Sequence, residues 1–512
     1  MKKIKKITLW LTVFTVGLLI AGCAQPSSPT PTTSVSPTAS ASPTPSASPA
    51  KPFEGVNITV AVGSFMSPGV KMFVPEWEAK TGGKITVVEI PFGDLYSKLL
   101  TSFSSGAGTY DVAIYAANWI PDFAEAGYII SLEKYYPQKD NWDDVLPMMQ
   151  KAMYVKGQRY SIPMDGDIIF GYYRKDALEN PEYQAKFKEK YGYDLAPPKT
   201  WKEYHDIAEF FTGWDWSGDG KPDWGCLEAM GPHDVGPYIF LTRAAAYSAY
   251  PGKPGSFFFD PDTMKAQIAN PGFVKALQDW IDIKKFGPPE MVTYGGGDMR
   301  GNFVAGNFAL GIDWADVGIM SQDPEKSTIK GKIGYFLAPG SYDVYNYTTG
   351  KWDHFDDVQY APYLGWGGWH ASITSTCKHP DAAWDFINFL DTTENAFKAV
   401  TTPGTARNPY RYSQFVPDRW KTSAVKYDDS VDQYLEVQKE GMTHPNAQYD
   451  LRIPKAGRYI DALDKYLSQA IAGQMSPEDA LKAAAQEWDK ITQEVGLESQ
   501  KAVYRSNYGL TP

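Results

Sequence analysis

The apolar positions of this chain switch repeatedly between two periods. Residues 56–62, V-N-I-T-V-A-V, alternate as a strand does, and 84–90 and 110–115 read as strands too. Between them, 70–80 and 94–104 carry helical spacing, the first stopping at Thr81-Gly82-Gly83, where glycine can end a helix. Strands alternating with helices predict a largely parallel, helix-covered sheet and hence an α/β fold. Ligands of such sheets favour the carboxyl ends of strands, so Ser64, Asp94, Asn118 and Trp119 are positional candidates for binding.

Farther along, helices are expected over 121–127, 238–250, 270–286, 380–390 and 459–472, and a last one opens at Ser476-Pro477-Glu478. Thr200 is placed to cap another, with Glu203 at the capping-box position. The stretch 160–176, Y-S-I-P-M-D-G-D-I-I-F-G-Y-Y-R-K-D, organises the rest. Pro163 and Gly166 mark a bend, and an apolar, aromatic strand follows. Asp165 and Asp167 stand two apart, so in extended backbone both carboxylates look into one space. Such a segment is either an ordinary buried strand after a turn or a crossing between two lobes beside a ligand cleft.

The N-terminal pattern is different again. Four lysines within six residues precede an apolar run over 7–20, which is a signal-peptide pattern too short to favour a stable span. The run ends Leu19-Ile20-Ala21-Gly22-Cys23 and resembles a bacterial lipoprotein signal, in which the cysteine becomes the lipidated first residue. Residues 24–52 then hold 26 Ala, Pro, Ser or Thr out of 29. That composition cannot build a core, and at ~3.1 Å per residue its full extension would be roughly 90 Å. A tether from a membrane surface to a soluble body is expected, whether or not it is glycosylated like a mucin stalk.

Charge narrows the partners. The formal net charge is −11, and removing 1–22 deletes four lysines and no acid, giving −15 for the remainder. Without a concentrated basic block, a nucleic-acid partner is not expected. Aromatic content is high, with 16 Trp and 33 Tyr. Flat rings suit the apolar faces of sugars, although aromatic residues serve core packing more often.

Several blocks carry a family resemblance. The 160–176 stretch, Y-D-V-A-I-Y with W-I-P-D-F-A-E-A-G-Y-I-I-S-L after it, M-R-G-N-F-V-A-G-N-F-A-L-G-I-D-W, D-A-A-W-D-F-I-N-F-L and the closing S-P-E-D-A-L resemble bacterial extracellular solute-binding proteins of the sugar-binding, maltose-binding-protein type. Arg174 departs from the Tyr-Asn-Lys-Asp-like turn of that family. The resemblance spans 53–512 and implies two α/β lobes with hinge crossovers and a cleft between them. It implies a first lobe of 53–160 with 369–405 and a second of 161–368 with 406–512. It also brings Asp313, Trp314, Trp366 and Trp369 to the cleft, with crossovers near 161–166, 362–368 and 405–415. His233 and Asp234 lie in a Gly/Pro-rich loop, and Arg407 in T-T-P-G-T-A-R-N-P; each is either a ligand contact or loop polarity at the surface.

One loop suggests a metal. Asp215, Ser217, Asp219 and Asp223 occupy positions 1, 3, 5 and 9 of an EF-hand-like spacing, with the Lys221 carbonyl at 7 and Gly220 at 6. Position 12 is Cys226 rather than glutamate, so the choice is between structural calcium and an Asp/Gly-rich turn. Cys226 and Cys377 are expected as buried free thiols, because a bridge between lobes would restrain closure.

Three functions compete. A glycoside hydrolase needs two carboxyl groups on opposite sides of the scissile bond, about 5–5.5 or 6.5–9.5 Å apart, which two acids on one strand side do not easily supply. No Gly-x-Ser-x-Gly elbow, His-Glu-x-x-His helix or P-loop appears. A surface adhesin would share the tether but not a closing cleft. The resemblance decides for a monomeric, lipid-anchored binding protein on the extracytoplasmic side, periplasmic or extracellular. It would take a mono- or oligosaccharide to the transmembrane subunits of an ABC permease, with no cofactor except that possible calcium.

Overall fold

The computed structural model describes residues 51–139 and 141–510. The signal segment, Cys23 and all but the end of the tether lie outside those residues.

Two sheets organise the body. The first runs Lys84–Ile90, Asn57–Gly63, Val112–Ala116, Trp369–Ile373, Ile162–Pro163 in spatial order. Its first three strands are parallel, and Trp369–Ile373 returns antiparallel, pairing Trp369 with Ala116 and Ile373 with Val112. Both Val112–Ala116 and Trp369–Ile373 are buried throughout; the first is apolar along its length, and the second buries His370 against Ser161 and Ser372 against the Tyr115 hydroxyl. The second sheet runs Ile333–Phe336, Phe170–Arg174, Phe308–Asp313, Trp224–Glu228. Phe170–Arg174 is antiparallel to both neighbours, so this sheet is mixed rather than parallel.

Local chemistry sets the helix ends. The helix expected over 70–80 is two pieces, Pro68–Lys71 and Val74–Thr81, because Pro75 fits only the first turn of a helix. Gly82, at φ 76°, terminates the second piece in the left-handed conformation that glycine tolerates. Thr200 and Glu203 form the expected capping box at the head of Trp201–Phe210.

Three connecting segments lie side by side between the sheets. Ile162–Pro163 belongs to the first sheet and Phe170–Arg174 to the second, so 164–169 crosses between them. Residues 365–368 cross back, between Tyr363–Leu364 and Trp369–Ile373. The two crossings touch at the Ile169–Tyr363 bridge. The third segment is approached through the residues before it: the Asn408 carbonyl accepts from the Gly166 amide at 3.1 Å, and Arg407 Nη1 donates to the Met164 carbonyl at 2.8 Å. Gly166 and Gly368 permit this approach, since a Cβ at either would collide with the carbonyl of Pro409 or Asp165.

Beyond residue 409 the chain is fastened to 141–144 and to Asp391. Tyr410–Gln414 stays on the first lobe, where Arg411 and Lys139 both pair with buried Asp391, at 2.6 and 2.5 Å. Ser413 donates to Asp144 at 2.6 Å. The buried Asp391 carboxylate needs both cations around it to remain charged. Farther on, Asp428 accepts from Gln322 and from the Gly331 amide.

Candidate functional site

Strand ends and crossovers converge on a cavity of about 320 Å³ between the two sheets. Phe65 and Phe92 contribute from the first lobe, Trp366 from the second crossover, and Asp234, Arg300 and Asp316 from the second lobe. Behind the lining, rings continue across the molecule. Phe92 lies 5.2 Å from Trp366, and Phe65 lies 4.9 Å from Trp369. Tyr238 meets Trp366 edge-on at 5.2 Å, and Trp314 stacks on it at 4.6 Å. One face of the cavity is thus aromatic and the other charged.

Trp366 holds an unusual backbone conformation, φ 66°, in a region that favours glycine. Asp450 over-determines it. This buried carboxylate accepts from the Trp366 amide at 3.1 Å, Asn118 Nδ2 at 2.8 Å and the Tyr363 hydroxyl at 2.7 Å. The Asn118 amide in turn donates to the Trp366 carbonyl at 3.3 Å. Asp450 was not a candidate on sequence, since nothing in its local spacing announces it.

Below the cavity lies a knot of charge. Arg300 Nε donates to Asp313 at 2.5 Å and its Nη2 sits 3.3 Å from Asp316. Burial pushes the Asp313 carboxyl up to about 6, against the pull of Arg300. Asp165 and Asp167 are 1% and 3% exposed. Burial raises Asp165 to about 7, opposed by the Asn408 amide and the Arg407 charge. Burial also raises Asp167 well above the carboxylate range, reinforced by the charges of Asp165 and Asp316. Two acids this close in a dry site do not both ionise freely. Several buried polar atoms have no partner, including Asp167 Oδ2, Arg407 Nε and Nη2, Asn408 Oδ1 and Trp366 Nε1. Such atoms are costly unless something hydrogen-bonds to them.

The sequence-based candidates divide into three groups. Asp234 and Trp366 line the cavity. Asp165, Asp167, Asp313, Trp314, Trp369 and Arg407 are buried around it, and Arg407 is not the exposed loop charge it was weighed against. Trp314 backs Trp366 and donates to the Gly365 carbonyl at 3.2 Å. Trp119 belongs to the first lobe's aromatic wall, 5.1 Å from Tyr96, and Asn118 is engaged by Asp450. The remainder stand apart: Ser64 is exposed, Asp94 pairs outward with Lys98 at 3.3 Å, and His233 projects into solvent beside Asp464. Arg300 and Asp316 were missed, although Asp316 follows Trp314 by two residues and Arg300 lies within a resembling block.

The calcium loop is a turn built on its own amides. Asp215 accepts from the amides of Gly218, Asp219 and Gly220, and Asp223 from those of Trp216 and Ser217. Asp219 accepts from the Lys221 amide and from Asn307. The loop that carries Asp215, Ser217, Asp219, Lys221 and Asp223 is thus braced by hydrogen bonds to its own amides. No group of three or more His, Cys, Asp or Glu is arranged to hold a metal among the described residues. Cys226 is buried and Cys377 half-buried, both as free thiols.

The mannitol-binding protein of Pseudomonas aeruginosa is 22% identical over 406 residues, covering 77% of this chain and 82% of that protein. An ABC transporter solute-binding protein of Agrobacterium radiobacter K84, solved with ribitol, superposes with a TM-score of 0.68 at 22% identity, covering 86% of this chain and all of the other. A maltose-bound protein of T. maritima gives 0.67 at 22% identity, with 85% and 100% covered. Those likenesses establish the two-lobed periplasmic-binding-protein-like fold. The family model described as bacterial extracellular solute-binding protein matches residues 73–424, and the chain belongs to that family.

Proposed function

We propose that the protein captures a polyol or small sugar in the cleft between its lobes and hands it to an ABC permease. The observation that carries this reading is the cavity itself, with aromatic rings on one side and Arg300, Asp316 and Asp234 on the other. Rings match the C–H faces of such a ligand, while carboxylates and guanidinium exchange hydrogen bonds with its hydroxyls, and charge-assisted bonds are the stronger kind. The relatives named for mannitol and solved with ribitol or maltose support the same ligand class. A volume of about 320 Å³ favours a single sugar or an open-chain polyol over a long oligosaccharide, since ligand pockets span roughly 300–1,000 Å³.

No bond needs to be made or broken. A ligand that touches both lobes stabilises the closed arrangement in proportion to its preference for it, and the crossings near 164–169, 365–368 and 415–428 are the hinges we assign. The lobes so divided are 53–163 with 369–414 and 170–364 with 428–510. Attachment through a lipid on Cys23, with 24–52 as spacer, would keep the receptor on the extracytoplasmic face beside its permease. Cys23→Ala should release the protein from the membrane fraction; a wild-type chain without lipid on Cys23 would end that part of the proposal.

Titration calorimetry against ribitol, D-mannitol, D-glucose, maltose and maltotriose tests the ligand. One polyol or monosaccharide should bind in the micromolar range, about −8 kcal/mol. A folded protein that binds none of the five, or that prefers maltotriose, would require a different occupant.

A further inference from the structure

A second concavity lies on the outer side of the second lobe. The hairpin Ser341–Asn346 and Lys351–Gln359 lies over the helices Gly236–Ser248 and Pro271–Ile283, and beside it opens a groove of about 730 Å³. It shares no lining residue with the cleft and is more than twice its volume of about 320 Å³. Rings dominate the lining, from Tyr193, Trp201, Tyr247, Tyr342 and Trp352. Only five large hydrophobic side chains are exposed among the described residues, and Tyr342 and Trp352, each 40% exposed, are two of them. Exposed rings gathered at one groove call for a partner.

The charges there are already answered. Lys202 pairs with Asp206 at 2.6 Å, Lys275 with Asp279 at 2.8 Å, and Asp343 with His354 at 2.8 Å. Glu203 is held by the amides of Lys199 and Thr200 in the capping box. An ionic ligand finds no uncommitted counter-charge. Polar capacity remains, however. The phenol oxygens of Tyr193 and Tyr247, which donate to Asp206 and Asp279, keep lone pairs free. Flat apolar plates with scattered neutral acceptors are what a chain of uncharged sugar rings requires.

We propose that this groove binds a neutral oligosaccharide strand, longer than the solute in the cleft. It would hold the receptor against the polysaccharide whose breakdown supplies that solute. The inference rests on the groove's own chemistry; only its purpose depends on the sugar-binding reading.

Affinity electrophoresis of the full chain in detergent, through native gels containing soluble starch, barley β-glucan or arabinoxylan, tests it. At least one gel should retard the wild type, and Tyr342→Ala/Trp352→Ala should weaken that retention at least tenfold. The same double variant should keep the wild-type affinity for the cleft solute. No retardation in any of the three gels, or equal retardation of wild type and variant, overturns the proposal. Loss of solute binding in the wild type would instead strike at the cleft reading, which is measured separately.

Discussion

Trp314 and Trp366 lie face to face, 4.6 Å between ring centroids and 18° between planes. Trp314 directly follows the strand Phe308–Asp313 of the second sheet and is wholly buried, whereas Trp366 belongs to the crossover and lines the cleft. The pair divides the two positions, with one ring lining the cavity and the other stacked behind it. Trp366→Ala is therefore expected to weaken solute binding at least tenfold, about 1.4 kcal/mol. Trp314→Ala should lower folding stability by about 3–5 kcal/mol, as large-to-small core changes do. Calorimetry with urea denaturation separates the two; equal affinity in wild type and Trp366→Ala would remove that residue from the site.

Acidity should change stability through Asp165. Burial raises its carboxyl and that of neighbouring Asp167 above the ordinary 3.8, so above about pH 4 the folded pair holds a proton that the unfolded state has released. Stability is then greatest below about pH 4 for this group and falls as pH rises through 7. Asp313 and Asp450, both raised to about 6, act in the same direction, while Asp391 is lowered and titrates beneath this window. Asp165→Asn keeps an acceptor for the Asn408 amide and should flatten the melting profile near pH 7. Parallel profiles for wild type and variant across pH 5–8 would show that the group does not titrate there.

The Asp391 cluster is expected to hold the third segment in place. Arg411 and Lys139 are its two cationic partners, and all three side chains are almost completely buried. Asp391→Ala removes the carboxylate shared by both cations, leaving Arg411 beside Asp144 at 3.5 Å and Lys139 donating to Asn388 at 3.2 Å, and breaking a buried pair costs about 3–5 kcal/mol. Guanidinium denaturation measures it. A loss below 1 kcal/mol would mean that water or another acid readily replaces the carboxylate.

Chelation should leave the melting temperature unchanged, because the carboxylates of Asp215, Asp219 and Asp223 are occupied by amides of their own loop. Asp215→Ala, by contrast, removes the acceptor of three exposed loop amides that water can then solvate, and should cost about 1 kcal/mol. A melting temperature that falls in EDTA and recovers with calcium would restore the metal reading.

Much of the fold was legible in the chain. Strand and helix periods marked the first lobe's βα units, Pro163 and Gly166 marked the first crossing, and Thr200 with Glu203 marked a helix start. Each is decided within a few residues, by side-chain alternation, a missing amide hydrogen or a local cap. The family blocks carried the two-lobed arrangement, while the mixed second sheet did not show in any strand's own pattern.

What the sequence by itself determined is the set of available groups: rings, paired acids and glycines at the crossings, in an order compatible with two lobes. Tertiary structure decided what each group does. Asp94 and Asp313 are both aspartates near strand ends, yet one meets Lys98 at the surface and the other meets buried Arg300 beneath the cleft. Arg407 became a buried donor because 164–169 passes over it, and Asp450 became the clamp on Trp366 across 84 residues of chain. Burial and partner distance set the charge state and role of an ionisable side chain, and both depend on segments that local sequence does not bring together.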